Sequence, residues 1–456
     1  MDSTVTGTRI RTGVVVVGAG LSGLCAAEAL AAHGHDVEVL EASDRLGGRT
    51  RTEATPLGLA LDCGGAYLGN RHTEVRQLAD RLGVPLQRTV APGAALFDLS
   101  GRRYRDDDAD APFNALALGL ALDRIEELTE AVDLHSPGSS PDAAQQDRIT
   151  VHEWLSTERM TSATTLLIEQ IVREMLASEP DEVSLLHFLF YVKSGGGLDF
   201  LTAFAGGAQE FRLAGGAAGL SERLAARLDR PVRTGRPVRR ICGTTGGIRV
   251  EADGFVADCD RVVLAIGPGP ERAVEVAIPG VAASPVPAST GGSVVKIHLV
   301  YRTPFWRDGG LSGWVTADRA PLRFLVDDSN GRDGLGVLVG FLTGAEARAY
   351  RAGRITWAGL TARLADWFGP PALTPVHVTA QDWQRQPWVQ GCYAAVPHPG
   401  AWLDARSPAD PGGPLHRVGA EHSPYFFGHL EGAVRSANAL VRRIPRPAGS
   451  GERVPR

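Results

Sequence analysis

The chain has 456 residues, 43% of them hydrophobic and 22% charged, with a formal net charge of −5. That is ordinary globular composition, long enough for two or three domains with their own cores, and its mild negative charge argues against a nucleic-acid surface. Five scattered cysteines without CxxC spacing exclude a disulfide scaffold and give no metal site. No apolar run of about 20 residues is there to span a membrane, and no apolar segment follows Met1, so a cytoplasmic protein without a signal peptide is expected.

The β-branched run Val14 to Val17 predicts a strand ending in Gly18-Ala19-Gly20-Leu21-Ser22-Gly23. An Ala/Leu-rich stretch to about His33 predicts a helix, and Asp36 to Leu40 a second strand ending at Glu41. Together these make a dinucleotide-binding fingerprint. Gly18 allows the tight turn, Gly20 lets backbone approach a pyrophosphate, and Gly23 lets helix and strand pack closely. The helix N-terminus offers unpaired N–H groups to phosphate. Glu41, about 20 residues beyond the glycines, offers a carboxylate to ribose hydroxyls. The next segment, Asp44-Arg45-Leu46-Gly47-Gly48-Arg49-Thr50, is a second glycine turn. It is similar to the one glutathione reductase-like flavoproteins carry over the FAD pyrophosphate.

Residues 11–95, about 214–290 and about 412–445 read as parts of one nucleotide-binding domain. The second part predicts a helix over Gly219 to Leu228, short strands opening at Pro231-Val232 and Pro237-Val238, and a buried strand over Ala257 to Gly267. The third holds Val418-Gly419-Ala420-Glu421 and a predicted helix from Gly432 to Arg443. Between them, residues 96–213 read as mainly helical, broken by polar loops at Arg105 to Asp110 and Ser136 to Asp147. Residues 291–411 carry strand patterns at Ser293 to Tyr301 and Leu335 to Leu342. The expected fold class is therefore α/β. A discontinuous Rossmann-like, glutathione reductase-like domain carries an inserted mixed α+β substrate domain (96–213 and 291–411) and a flexible tail over 446–456. The active site is expected at the junction of the two domains.

Further motifs resemble the flavin-containing monoamine oxidases over nearly the whole chain. Leu61-Asp62-Cys63-Gly64-Gly65-Ala66-Tyr67-Leu68-Gly69 is similar to the family's turn under the flavin. Ser178 to Ser184 with Phe190-Tyr191-Val192-Lys193 resembles its substrate-domain helix pair, and Gly206 to Glu210 with Pro231-Val232 its return to the FAD domain. Ser293-Val294-Val295-Lys296 with Pro304-Phe305-Trp306 resembles the strand carrying its flavin-side lysine. Trp383, Gly391-Cys392-Tyr393 and Gly428-His429-Leu430-Glu431-Gly432-Ala433 complete the series. Residues 96–160 do not share it.

The resemblance implies FAD as cofactor, held by Gly18, Gly20, Gly23, Glu41, Arg45, Gly48, Arg49, Gly64, Gly65, Ala66, Tyr67, Val232 at the adenine, Trp383, Cys392, Glu421 and Leu430. It implies a thioether from Cys392 to the flavin 8α-methyl, and a water-linked Lys296 at flavin N5 that assists O2 reduction. Tyr393 becomes one wall of an aromatic cage beside the ring. The chain departs from the pattern at His429, where a second cage tyrosine is usual. Lys193, the only other lysine, is read as structural.

The implied reaction converts a small-molecule amine to an imine and O2 to H2O2, with no metal, nucleic-acid or membrane partner; a homodimer is left open. A tailoring oxidase of secondary amines, amides or amino acids is the closest rival. A C–C desaturase and a non-catalytic FAD-binding module stand behind it.

Overall fold

The computed structural model describes residues 8–108, 115–280, 288–329, 334–403 and 413–447. Strand Thr8–Val17 pairs in parallel with both Val37–Leu40 and Phe255–Leu264. Val14 to Val17 are buried without alternation, as expected of a parallel strand covered on both faces. Phe255–Leu264 also takes Leu415–Arg417 in parallel and Gly247–Ala252 antiparallel, and Val238–Thr244 extends that edge. One face packs Val14 and Val16 against helices Leu21–Ala32, Ala218–Ala225 and Leu430–Val441 through Leu24, Leu30, Leu220 and Leu440. The other packs Val15 and Val17 against Ile241, Val250 and Leu264. Segments from the beginning, middle and end of the chain thus share one core.

A second sheet runs in the order His377–Asp382, Val294–Tyr301, Gly336–Thr343, Phe324–Asp327, Leu311–Ala317, Ala94–Leu99, Arg102–Arg105. A helical layer (Ala115–Glu130, Val151–Thr157, Ser162–Leu176, Leu185–Ser194) has its own core, with Ile125, Trp154, Ile168, Val172 and Phe188 at its centre. Thr150 caps one of these helices with a full capping box to Glu153. Lys193 closes the end of another, donating to Glu130 O and Val132 O at 2.7 Å each.

Two expectations are corrected. The stretch predicted as helical from residue 96 opens with two strands, Ala94–Leu99 and Arg102–Arg105, which complete the second sheet. The polar stretch Ser136 to Asp147 is not one loop: a 3-10 turn at Pro137–Ser139 and helix Ala143–Arg148 occupy it. Residues 109 and 110 of the other polar loop, and the tail from 448, lie outside the described residues. No described helix is long and apolar enough to cross a membrane.

Candidate active site

A cavity of about 1000 Å³ is walled by both sheets and by the helical layer. Its first end is built by the two glycine turns. Gly18 has φ +105°, and a Cβ there would stand 2.6 Å from Ala265 O. A Cβ on Gly23 would stand 2.0 Å from Gly18 O, so only glycine lets the helix sit this close to the strand. A Cβ on Gly48 would come 3.2 Å from Gly20 Cα: the turns pass backbone to backbone. Helix Leu21–Ala32 begins at Gly20 without a side-chain cap, leaving its first N–H groups for a ligand.

Glu41 lies on this wall. Its Oε2 accepts from Ala19 N at 2.7 Å, and its Oε1 from Ser43 N at 2.8 Å and Ser43 Oγ at 2.7 Å. Arg45 donates to Leu46 O, Thr50 O and Gly48 O, so its guanidinium holds the second turn in shape. The site takes Pro237 and Val238 into the cavity wall, while Val232 packs under helix Leu21–Ala32 with the first core. Two Pro-Val pairs lie six residues apart, and Arg233, next to the first of them, bridges to Leu40.

In the middle, Gly64, Gly65, Ala66 and Tyr67 face Cys392, Tyr393, Glu421, His429 and Leu430 across the cavity lining. Arg49 binds Glu421 through two bonds of 2.5 and 2.7 Å and donates to Tyr393 O at 2.7 Å. Burial opposes ionisation of Glu421, but the Arg49 ion pair outweighs it and holds the carboxyl below the usual range. Cys392 is buried as a free thiol; burial pushes it up to about 11, against the pull of Arg49 and Lys296. Trp383 stands one layer behind the cavity: it donates to Cys63 O at 2.9 Å and packs against Gly64. The tryptophans on the wall are Trp314 and Trp388, which sequence reasoning did not single out.

Lys296 projects from Val294–Tyr301, all eight of whose residues are buried. Its Nζ donates to Gly64 O at 3.0 Å and lies 5.9 Å from the Tyr67 ring and 5.5 Å from the Phe341 ring. Burial lowers its pKa, while Asp328 and Asp62 work to keep it charged. Those acids meet Arg212, a residue no motif pointed to. Arg212 is bonded to Asp328, lies 3.7 Å from Asp62 and is itself buried. Its strand, Phe211–Leu213, pairs with Tyr67–Leu68 and so lies directly beneath the turn at Gly64.

His429 Nδ1 pairs with Phe427 O at 2.9 Å; the tautomer that satisfies this carbonyl carries the proton on Nδ1 and leaves Nε2 as an acceptor. Burial lowers its pKa against the opposing backbone carbonyls. Burial thus favours its neutral form. Helix Leu430–Val441 starts at His429 without a side-chain cap, a second helix N-terminus at the cavity.

Phosphate-binding backbone at one end and a buried cation beside the middle suit an extended dinucleotide whose reactive ring lies near Lys296. Such a site defines a flavoprotein oxidoreductase. The family profile of flavin containing amine oxidoreductases matches residues 21–445, and the chain belongs to that family. A Mycobacterium tuberculosis protein named as flavin-containing monoamine oxidase AofH is 33% identical over 94% of this chain and 96% of its own length. Amine oxidase [flavin-containing] B of Sus scrofa is 29% identical, over 94% of this chain and 85% of its own. Putrescine oxidase bound to putrescine superposes with a TM-score of 0.88 at 29% identity, covering 95% of this chain and 99% of that one. Cyclohexylamine oxidase from Brevibacterium oxydans IH-35A gives 0.87 at 30%, covering 94% and 99%.

The chain is thus an FAD-dependent amine oxidoreductase. Its own residues fit the cofactor: two apposed glycine turns with no Cβ between them, two uncapped helix N-termini, and the Glu41 carboxylate on the same wall. Among the described residues no group of three His, Cys, Asp or Glu could hold a metal ion.

Proposed function

We propose that the first sheet and its helices are a Rossmann-like FAD domain, that the second sheet and the helical layer are the inserted substrate domain, and that the chain oxidises an amine to an imine at their junction, reducing O2 to H2O2. The observation that carries this reading is Lys296, a buried cation at Gly64 O in the same cavity as the glycine turns, Tyr393 and His429. The flavin supplies the hydride acceptor and the centre that reduces O2.

The chain's residues supply the rest. The apolar walls exclude water and favour the neutral amine. The Tyr393 ring, half-buried beside Cys392 and 6.3 Å from Phe341, offers an aromatic face that attracts the amine and confines its approach. Arg49 fixes the Tyr393 carbonyl and with it the segment carrying Cys392. Neutral His429 presents Nε2 as an acceptor and repels no ammonium. Activity should therefore rise with pH as the substrate amine loses its proton, with no separate inflection from His429. Anaerobic mixing with a panel of amines tests the function: bleaching of the flavin absorbance is expected, and no bleaching with any amine would leave a non-catalytic FAD-binding module.

Cys392 is expected to carry the flavin as an 8α-thioether. Acid-precipitated protein should hold the yellow colour in the pellet, and its intact mass should exceed the polypeptide by one FAD. Colour in the supernatant with a bare-chain mass would establish non-covalent binding.

The tailoring-oxidase reading rests on His429, because imidazole opens space and adds an acceptor where the family resemblance places a phenol. His429→Tyr should shift kcat/KM between small arylalkylamines and the preferred substrate by roughly tenfold, about 1.4 kcal/mol. An unchanged substrate profile with flavin still bound would put His429 outside the substrate path.

A further inference from the structure

Helix Ser162–Leu176 turns Leu167, Gln170, Ile171 and Glu174 to the cavity. Their i, i+3, i+4, i+7 spacing is one face of a helix. The wall around them is apolar, with Leu122, Leu201, Phe204 and Phe324 among its members. A carboxyl group there is unexpected, since burial of a charge without a partner is strongly unfavourable. Burial pushes Glu174 up to about 8, against a single hydrogen bond from Gln170 Nε2 at 2.9 Å.

Other acids near this helix are paired. Arg173 holds Glu169 at 3.3 Å and Glu179 at 2.7 Å. Glu174 forms no ion pair with any described Arg, Lys or His, and the Gln170 amide oxygen beside it has no hydrogen-bond partner. Among the described residues the protein thus places a carboxyl group in an oily wall and supplies no cation for it. Glu174 also lies within electrostatic reach of Tyr393, the aromatic residue next to Cys392. One cavity therefore holds an aromatic face for a reacting amine and, apart from it, a carboxyl without a cation.

We propose that Glu174 receives a second ammonium group of the substrate, so that the enzyme selects diamines over monoamines and amino acids. The proposal rests on the amine-oxidase reading and names its substrate class. An ammonium brings three donors to the Glu174 carboxylate. The ion pair forms as Glu174 gives its proton to solvent, and the far amine, also deprotonated, is the one oxidised. A substrate carboxylate would meet Glu174 as a like charge and is rejected.

The test mixes the anaerobic holoenzyme with α,ω-diamines of two to eight carbons and with n-alkylamines of matching length, and follows flavin bleaching. The best diamine should exceed its monoamine in reduction rate over Kd by on the order of 100-fold, the scale of a charge-assisted hydrogen bond. In Glu174→Leu that ratio should fall to about one, and in the isosteric Glu174→Gln to an intermediate value. A binding measurement separates recognition from turnover. Calorimetry with a diamine whose α-carbons bear no hydrogen, in buffers of different ionisation enthalpy, should record more proton release by the wild type than by Glu174→Gln.

Bleaching by monoamines without a diamine preference overturns the proposal and leaves amine oxidation standing. A diamine preference that survives in both variants overturns Glu174 as its source. Bleaching by no amine at all overturns both.

Discussion

Lys296→Met slows reoxidation of the reduced flavin by O2 on the order of 100-fold and leaves amine-driven reduction within about threefold. The asymmetry follows from where charge develops. A fixed cation in a dry site stabilises negative charge as O2 accepts an electron, and removing one such group costs roughly 2.7–4 kcal/mol. Amine oxidation places no comparable negative charge there. The Nζ is fixed by Gly64 O at 3.0 Å and by the rings of Tyr67 and Phe341, so methionine fills the same channel without opening a large void.

The same geometry gives a pH sign. Burial lowers the lysine's pKa, so the O2 half-reaction should fall as pH rises through a value below 10.5, while amine-driven reduction rises with pH. Stopped-flow traces of the two half-reactions, taken separately, check this. Equal slowing of both, or of neither, would make Lys296 structural.

The glycine turn and the strand–helix–strand around it were legible because every participant lies within about 35 residues and each local preference agrees with the fold. Lys296 was legible as a type of residue in a type of segment, but its burial was not. An alternating strand reads as half exposed, whereas both faces of Val294–Tyr301 are covered. Val232 and Val238 each follow a proline in one stretch, and nothing local tells which lines the cavity; the pairing near the first, Leu40 with Arg233, joins residues far apart in sequence. The strands at 94–105 were missed for a similar reason. Ala94–Leu99 pairs with Leu311–Ala317, more than 200 residues away, and strand formation depends on such partners more than on intrinsic preference. Trp383 and Trp388 occupy similar sequence surroundings; only the packing of Trp383 on Gly64 and Cys63 O tells the inner from the outer.

Arg212 carries the largest effect that no motif announced. Arg212→Leu is expected to destabilise the protein by about 3–5 kcal/mol, the scale for removing one partner of a buried pair. The reason is what remains: Asp328 at 2% exposure and Asp62 at 1% would keep their carboxylates with the guanidinium gone. Asp62 is not free to turn away, since its Oδ1 accepts from Ala217 N at 2.9 Å and Thr52 Oγ1 at 2.7 Å. Burial opposes the charge on Arg212 and Asp328 outweighs it, so the guanidinium is held ionised at a place water hardly reaches. Urea unfolding of the holoenzyme measures the loss. The double change Arg212→Leu with Asp328→Leu should recover part of it, because fewer charges are then left uncompensated. A cost under about 1 kcal/mol for Arg212→Leu would mean that the acids find water or a proton instead. The functional consequence follows from position. Tyr67, whose hydroxyl reaches Asp328 at 3.5 Å, borders this network, and Lys296, bonded to Gly64 O, feels the charge of its acids. With Arg212 gone, Lys296 is the cation left for Asp328 and Asp62 to draw on, and it should leave Gly64 O for them. The surviving folded fraction of Arg212→Leu should therefore lose O2 reactivity in the manner of Lys296→Met, while Glu41 and the glycine turns, in a separate part of the cavity, still retain FAD.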